Sequence, residues 1–563
     1  MPSIRITRFG GIRPALAGEH LDPRYGRAAH NLRLRDLTLR PFLAPEEVQT
    51  ESFPVRTIYR SADSSTCCSQ LLAWDHCVSV VEAPDPGACP TGDMLLVFHQ
   101  GDRPVEPQRY MRCEDAYYPI KVPRPQKTLI LTRLAAGTIE GKLEGSGPDA
   151  RSYTYTWVDR FGVESIPAMP SRQVRSYDDE VWRLDGFDTP PPNAEFVRIY
   201  RTTTQFEDGR QVKNPMDSSY QLVEEVPIDA SWAGTYTDAR RLLHMDYGTL
   251  TTFENCDIPE RMEQVVATEQ GYLVGFRGNE LFVSERYEAH NWPEKYRQML
   301  PDKIVALAVR YDVVFIATTG RPYKASIAFA RMGDTADATI EVIPFTENYP
   351  CIGAQTMVAT DNGAAYCTHK GIVRLPTNGN AKLESRFRID EDDFRDFAPN
   401  TAAYHNGKYF ASRSPVGNGI IVDFEDRVEG DIDIGDLVTA DLRWDAAHSG
   451  RDGFIYFSRG NVIYRWNGAR QAMPYRWRSK IFVQPGQVAF AAAKVVGDYG
   501  PPVTFRLFAD GSLYVEDVVS SSEPFRLPAR GRGINWEVEV VGTTRVREIH
   551  VATSMAELTE GAA

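Results

Sequence analysis

No stretch of this chain approaches the roughly 18 consecutive apolar residues that a membrane-spanning helix needs. Its first ten residues, Met1-Pro-Ser-Ile-Arg-Ile-Thr-Arg-Phe-Gly10, lack the apolar core of a secretion signal, so a protein made and folded in a cytoplasm is expected. Its eight cysteines (67, 68, 77, 89, 113, 256, 351 and 367) include no Cys-x-x-Cys, and no histidine stands at zinc spacing beside them, which leaves free thiols as the default. Gly-x-Ser-x-Gly, His-Glu-x-x-His and the phosphate-binding Walker loop are all missing. Basic charge is short too: the formal net charge of -13 disfavours general affinity for nucleic-acid phosphates, although it permits a surface that DNA slides past.

What the chain does have is length, 563 residues or about three domains, and enough apolar (42%) and aromatic (11%) residues for well-formed cores. From Arg261 to Gly468 one pattern repeats: a β-branched and aromatic strand, a Gly-centred turn, a second strand. The turn glycines at 278, 320, 371, 419 and 460 are spaced 42, 51, 48 and 41 residues apart, close to the roughly 40 to 50 residues of a four-stranded propeller blade. An all-β β-propeller is the expected fold, and a sandwich with irregular loops is the competing architecture. Each turn is expected to need Gly because tight hairpins require positive φ.

The remaining segments are placed around that run. Residues 1–50 read as an extended N-terminal arm: eight arginines up to residue 42 against Glu19, Asp22 and Asp36 give a local +5, which leaves -18 for the rest. The arm is too apolar to be a solvated tail, and Arg5, Arg8 and Arg13 are its candidate partner-interface residues, laid on an acidic surface of the same or a neighbouring chain. Residues 51–126 read as a first propeller blade region, detached from the others, with the strand pair Leu71–Trp74 and Cys77–Val81 and the segment from Met94 to Gly101; the strands of Cys77 to Gly101 would help close the ring. Residues 127–149 read as a linker, 150–250 as an inserted fibronectin-like β-sandwich, 251–470 as the remaining blades and 471–563 as a C-terminal β unit.

The chemical signals are thin. Asp431-Ile-Asp-Ile-Gly435-Asp436 opens like a calcium loop, but its twelfth position is Leu442 where a glutamate is needed, and a solvated inter-strand loop is the plainer reading. Asp361-Asn-Gly363 resembles a degenerate Asp-box and is more simply a Gly turn. His76, His99, His369 and His405 stand singly. Paired carboxylates for glycoside hydrolysis meet only in space and are left open by one sequence. No metal, cofactor or catalytic residue is expected.

Several phrases together resemble the tail nozzle family of short-tailed bacteriophages, also called tail tubular protein B. They are Phe9-Gly-Gly-Ile-Arg-Pro14, Asn31-Leu-Arg-Leu, Leu39-Arg-Pro41, Tyr153-Thr-Tyr-Thr-Trp-Val-Asp-Arg-Phe-Gly162, Val197-Arg-Ile-Tyr-Arg-Thr202, and Gly275-Phe-Arg-Gly-Asn-Glu-Leu-Phe-Val-Ser-Glu285 with Asn291-Trp-Pro293. Their order spans nearly the whole chain. The resemblance implies a structural virion protein, not an enzyme. It would form a homo-oligomeric ring, hexameric in that family, below the portal and adaptor, contact tail fibre or needle proteins, and hold genomic double-stranded DNA in its channel until infection. Acidic clusters suit a wall that a polyanion must pass, and Asp390, Glu391, Asp392, Asp393, Asp431 and Asp433 are the candidate channel-lining residues. A propeller-type glycan-binding or glycan-hydrolysing tail protein is the competing function.

Overall fold

The computed structural model describes residues 3–34, 36–60, 71–83, 94–100, 105–112, 114–135, 149–177, 179–202, 206–207, 210–211, 220–241, 248–332, 335–386, 388–414, 416–424, 428–429, 432–433, 436–528 and 531–559. They are nearly all β-strand, in many small antiparallel sheets. The chain divides into two compact units, one made of residues 1–78, 277–280 and 300–563, the other of 79–276 and 281–299.

The first unit holds the repeated pattern as successive four-stranded meanders. Ile304–Arg310, Val313–Thr318, Tyr323–Met332 and Thr335–Pro344 form one; Val358–Thr360, Gly363–Thr368, Gly371–Pro376 and Lys382–Leu383 form the next. Their inward side chains, among them Phe315, Ala317, Tyr366 and Val373, share one buried core, because alternate residues of a strand point to the same side. A third meander, Thr401–His405, Lys408–Ser412, Gly419–Asp423 and Leu437–Ala440, is followed by Ala447–Ser449, Ile455–Arg459 and Val462–Arg465. The fourth strand of that last sheet is Glu46–Thr50, which arrives from the other end of the chain. Each of these four-stranded groups has the strand count of one propeller blade.

The turns only partly follow the expected glycine rule. Gly278 and Gly460 adopt φ of +62° and +61°. Gly320 and Gly419 have no positive φ; a Cβ on Gly419 would meet Leu442 Cβ at 2.3 Å, so close approach, not turn geometry, requires glycine there, whereas on Gly320 it would meet only the end of the Asp302 side chain. At 311–312 the left-handed hairpin turn is made by Tyr311 and Asp312 instead.

The arm is not a separate element. Ser3–Ile6 pairs antiparallel with Val546–Ala552, and Gly26–His30 enters between Leu437–Ala440, which it meets in parallel at His30 and Thr439, and Tyr475–Ser479, which it meets antiparallel. That insertion joins the third meander to the C-terminal strands Gly533–Gly542, Val503–Ala509 and Ser512–Val519 in one ten-stranded sheet. Phe9, Leu32, Leu34, Leu39 and Phe42 lie in the same core as Trp444, Trp477 and Trp536.

The second unit contains the meander Val78–Glu82, Met94–His99, Gln108–Met111 and Ala116–Pro119, and a four-stranded sheet that begins with Gln264–Ala267 and Leu273–Arg277. Between them in sequence lie two three-stranded sheets, Ile130–Ala135 with Val181–Asp185 and Tyr236–Asp238, and Tyr153–Asp159 with Ala194–Thr202 and Tyr220–Pro227. Both enclose one core of Tyr153, Tyr155, Trp157, Leu184, Ile199 and Val223. The segment read as a linker therefore supplies a sandwich strand at Ile130–Ala135; its residues 136–148 lie outside the described residues. No described helix is long and apolar enough to cross a membrane.

Candidate functional site

The densest set of specific contacts made by the arm is at Phe9-Gly-Gly-Ile-Arg13. The Phe9 ring stands edge-on to Trp477 at 5.0 Å, and the Trp477 indole N–H donates to the Gly10 carbonyl at 3.1 Å. Gly11 N–H donates to Asp436 Oδ1 at 2.9 Å, and Ile12 N–H to the Leu437 carbonyl at 2.7 Å. A Cβ on Gly11 would fall 2.3 Å from that carbonyl, so only glycine lets the two backbones meet. Burial pushes the Asp436 carboxyl up to about 6, with the nearby Asp423 adding to the rise; the Gly11 N–H and the charges of Lys408 and Arg13 act the other way.

The three arm arginines have different fates. Arg13 is buried, donates from Nη2 to the Tyr25 hydroxyl at 3.0 Å and lies 4.7 Å over the same ring. These contacts lie within its own chain. Arg5, opposite His550 in the strand register, and Arg8 are exposed, and together with Arg24 they line a cavity of about 370 Å³. A further arm arginine meets acid: Arg27 Nη1 lies 2.8 Å from Glu537 Oε2, which Arg478 also holds at 2.8 Å.

Of the acidic candidates, Asp390 to Asp393 form a helix start. Asp390 caps the helix Glu391–Phe397, its side chain accepting from Asp392 N–H at 3.0 Å, and Glu391, Asp392 and Asp393 are exposed in the first turn, where negative charge suits the helix dipole. Phe394, 1% exposed, anchors the helix. Asp431 lies outside the described residues, and of Asp433 only the backbone is described, in the short strand Ile432–Asp433. Of the nearby acids, Asp423 is buried and pairs with Lys408, and the part-buried Asp436 accepts from the arm.

A larger cavity, about 660 Å³, lies within the second unit and was not indicated by any motif. Arg109 and Phe161 line it, and Arg109 Nη1 reaches the buried Asp159 Oδ2 at 2.9 Å. Asp159 Oδ1 accepts from the backbone of Phe161 and Val163, so its carboxylate fixes the turn. His290 on the cavity wall has its pKa driven down to about 4 by burial, with the Arg109 charge adding to it, and is neutral at physiological pH. Glu164 is engaged by Thr156, Arg198 and Tyr200, and Glu288 by Asn291. Among the described residues no group of three or more His, Cys, Asp or Glu side chains is arranged to hold a metal ion.

No family model matches the chain, and no curated protein matches it. Solved structures that superpose on it include a virginiamycin B lyase from Staphylococcus aureus, at 9% identity over 73% of this chain and 99% of that one with a TM-score of 0.24. Others are the AfRom2 CNH domain (12%, 60% and 93%, 0.23) and an exo-β-1,3-galactanase from Phanerochaete chrysosporium (10%, 72% and 100%, 0.16). At such TM-scores the likeness carries no argument about chemistry.

The sequence could not point to Asp436, Glu537 or Asp441, because each meets its arm partner across more than 400 residues of chain. The one available signal was Gly11 itself, beside Gly10 in an otherwise strand-forming segment, where a close backbone approach is a standard reason for glycine.

Proposed function

We propose that the chain is a tail nozzle protein of a short-tailed bacteriophage. In this reading its four-stranded meanders close a β-propeller, the two-sheet insertion is a fibronectin-like platform, and copies of the chain form a ring, six-membered as in the family it resembles. The ring continues the DNA channel below portal and adaptor, retains the packaged genome and lets it pass on infection. One observation carries the proposal: the phrases that resemble the family fall at structurally demanding places along the whole chain. Phe9 to Pro14 forms the arm seat, Asn31 sits at φ +55° exchanging amide hydrogen bonds with Asp441, and Tyr153 and Arg201 both reach the buried Asp238 carboxylate. Residues needed for an architecture, and not for a reaction, are what a structural virion protein would keep. Light scattering on the purified chain, alone and with its adaptor, tests the reading. A mass of about six chains is expected with adaptor present; a monomer that instead cleaves or binds glycan would favour the propeller-type tail enzyme or lectin.

A further inference from the structure

The ten-stranded sheet of the first unit ends on an open edge. Its last strand, Ser512–Val519, pairs with Val503–Ala509 on one side, and among the described residues no strand pairs with its other side. A bulge at Tyr514 disturbs the start of the strand, and from Val515 to Val519 the register is regular. The Val518 N–H donates to the exposed Asp517 Oδ1 at 2.8 Å and so points to the open side. Alternate residues of an antiparallel ladder turn both N–H and C=O to the same side, so Glu516 and Val518 both present theirs to that edge.

Edge strands are commonly blunted by Pro, by Lys or by short length. Ser512–Val519 has eight residues, no Pro and no base, and its Leu513 and Val518 are 53% and 64% exposed. Leu513, Glu516 and Val518 share one face, since they stand opposite Phe508, Arg506 and Thr504. On that face a series of charges crosses the sheet. Arg476 Nη2 lies 2.7 Å from Glu539 Oε2, Glu539 Oε1 lies 2.9 Å from Arg506 Nη1, and Arg506 Nε lies 2.6 Å from Glu516 Oε2. The sign alternates from strand to strand, and the series stops at Glu516, whose side chain is 49% exposed and whose Oε1 has no partner among the described residues. The next member would be a cation on a further strand. Asp517, exposed and without a cation partner among the described residues, adds a second negative charge. Like charges directly opposite are unfavourable across strands, so these acids keep an acidic strand off and admit a basic one.

We propose that the outer edge of Ser512–Val519 is a docking site for an extended basic segment of a partner protein. The segment adds to the sheet as one more strand, with a Lys or Arg opposite Glu516 and aliphatic residues on the same face against Leu513 and Val518. Main-chain hydrogen bonds to Glu516 and Val518 hold it, and the side chains select it. The site stands on the geometry of this sheet and does not rest on the nozzle reading.

Hydrogen exchange and calorimetry on the full chain at low ionic strength, where screening is weak, test the site. The probe is the capped peptide Thr-Ile-Thr-Lys-Thr-Ile-Thr, and its twin with a central glutamate is the comparison. Saturable binding of the lysine peptide is expected, with exchange slowed at Glu516 and Val518 and affinity about 10-fold above that of the twin. Glu516→Gln should weaken it about 3-fold, and Val518→Pro, which removes an edge-facing N–H, should abolish it. Should Val518→Pro fail to fold by circular dichroism, Glu516→Gln and the twin peptide still decide the matter. Absence of saturable binding, protection elsewhere than at this edge, equal affinity for the two peptides, or affinity unchanged in the variants would overturn the proposal. So would self-association of the parent chain that Val518→Pro abolishes, because a second copy would then hold the edge.

Discussion

Asp436 accepts the arm's Gly11 N–H while buried beside Asp423, and these two facts set opposite demands on its charge. Its carboxyl is raised from 3.8 to about 6 in the folded chain. A raised folded pKa means that its contribution to stability is full below the unfolded value, near 4, and is lost as pH rises through 6. The loss at pH 8 is on the order of 3 kcal/mol. Asp436→Asn keeps an acceptor oxygen for Gly11 and removes the ionisation. The urea midpoint of the variant should therefore exceed that of the parent at pH 8 and match it near pH 4; equal midpoints at both would show that the carboxyl does not titrate in this way. Gly11→Ala acts at the same seat by sterics alone. With a Cβ placed 2.3 Å from the Leu437 carbonyl, it should destabilise by roughly 1–3 kcal/mol at every pH, measurable in the same melts. In the sandwich, Arg201 and Asp238 form a pair only 1% exposed on each side. Removing one partner leaves the other charge buried, so Asp238→Asn should cost about 3–5 kcal/mol and open that module first in hydrogen exchange.

Among the elements, the first strand is a working part of the C-terminal sheet, because Ser3–Ile6 pairs along its full length with Val546–Ala552 and carries Ile4 and Ile6 into the core. Deleting residues 2–14 should thus expose the Val546–Ala552 edge and raise its hydrogen exchange, as well as weaken ring assembly; unchanged protection of that strand would contradict the pairing. The helix Glu391–Phe397 offers a cleaner handle on the proposed channel. Its acids are exposed and its anchor is Phe394, so charge changes on the first turn leave the core intact. If the helix faces the DNA path, Asp392→Lys with Asp393→Lys should slow genome ejection, more at low salt, without disturbing assembly. Ejection kinetics equal to the parent at low ionic strength would remove the helix from the path. The strand-and-turn rhythm that produced these sheets was legible because short runs buried on both faces, such as Val313–Thr318 and Gly363–Thr368, recur between Gly-containing turns. The helix was not, since seven residues with a single buried Phe give no 3.6-residue stripe, and a run of acids looks the same in a loop.

At the scale of the whole molecule, what the sequence could not supply is the pairing of its two ends. Glu46–Thr50 completes the sheet of Ala447–Arg465, and Gly26–His30 fills the place between Leu437–Ala440 and Tyr475–Ser479. Strand pairing at that separation leaves no local periodicity to read; only the apolar residues of the arm, Phe9 and Leu32 to Phe42, hinted that it packs. The same feature bears on assembly. The first unit, in which strands from both ends of the chain are paired, keeps its own surface fixed, and under the proposed function that suits a closed ring with one repeated interface. The most direct test of the nozzle account is electron microscopy of the purified chain together with its adaptor. Class averages with six-fold symmetry, a continuous central channel and the adaptor stacked coaxially are the predicted result, and particles that remain single chains or close without a channel would contradict it.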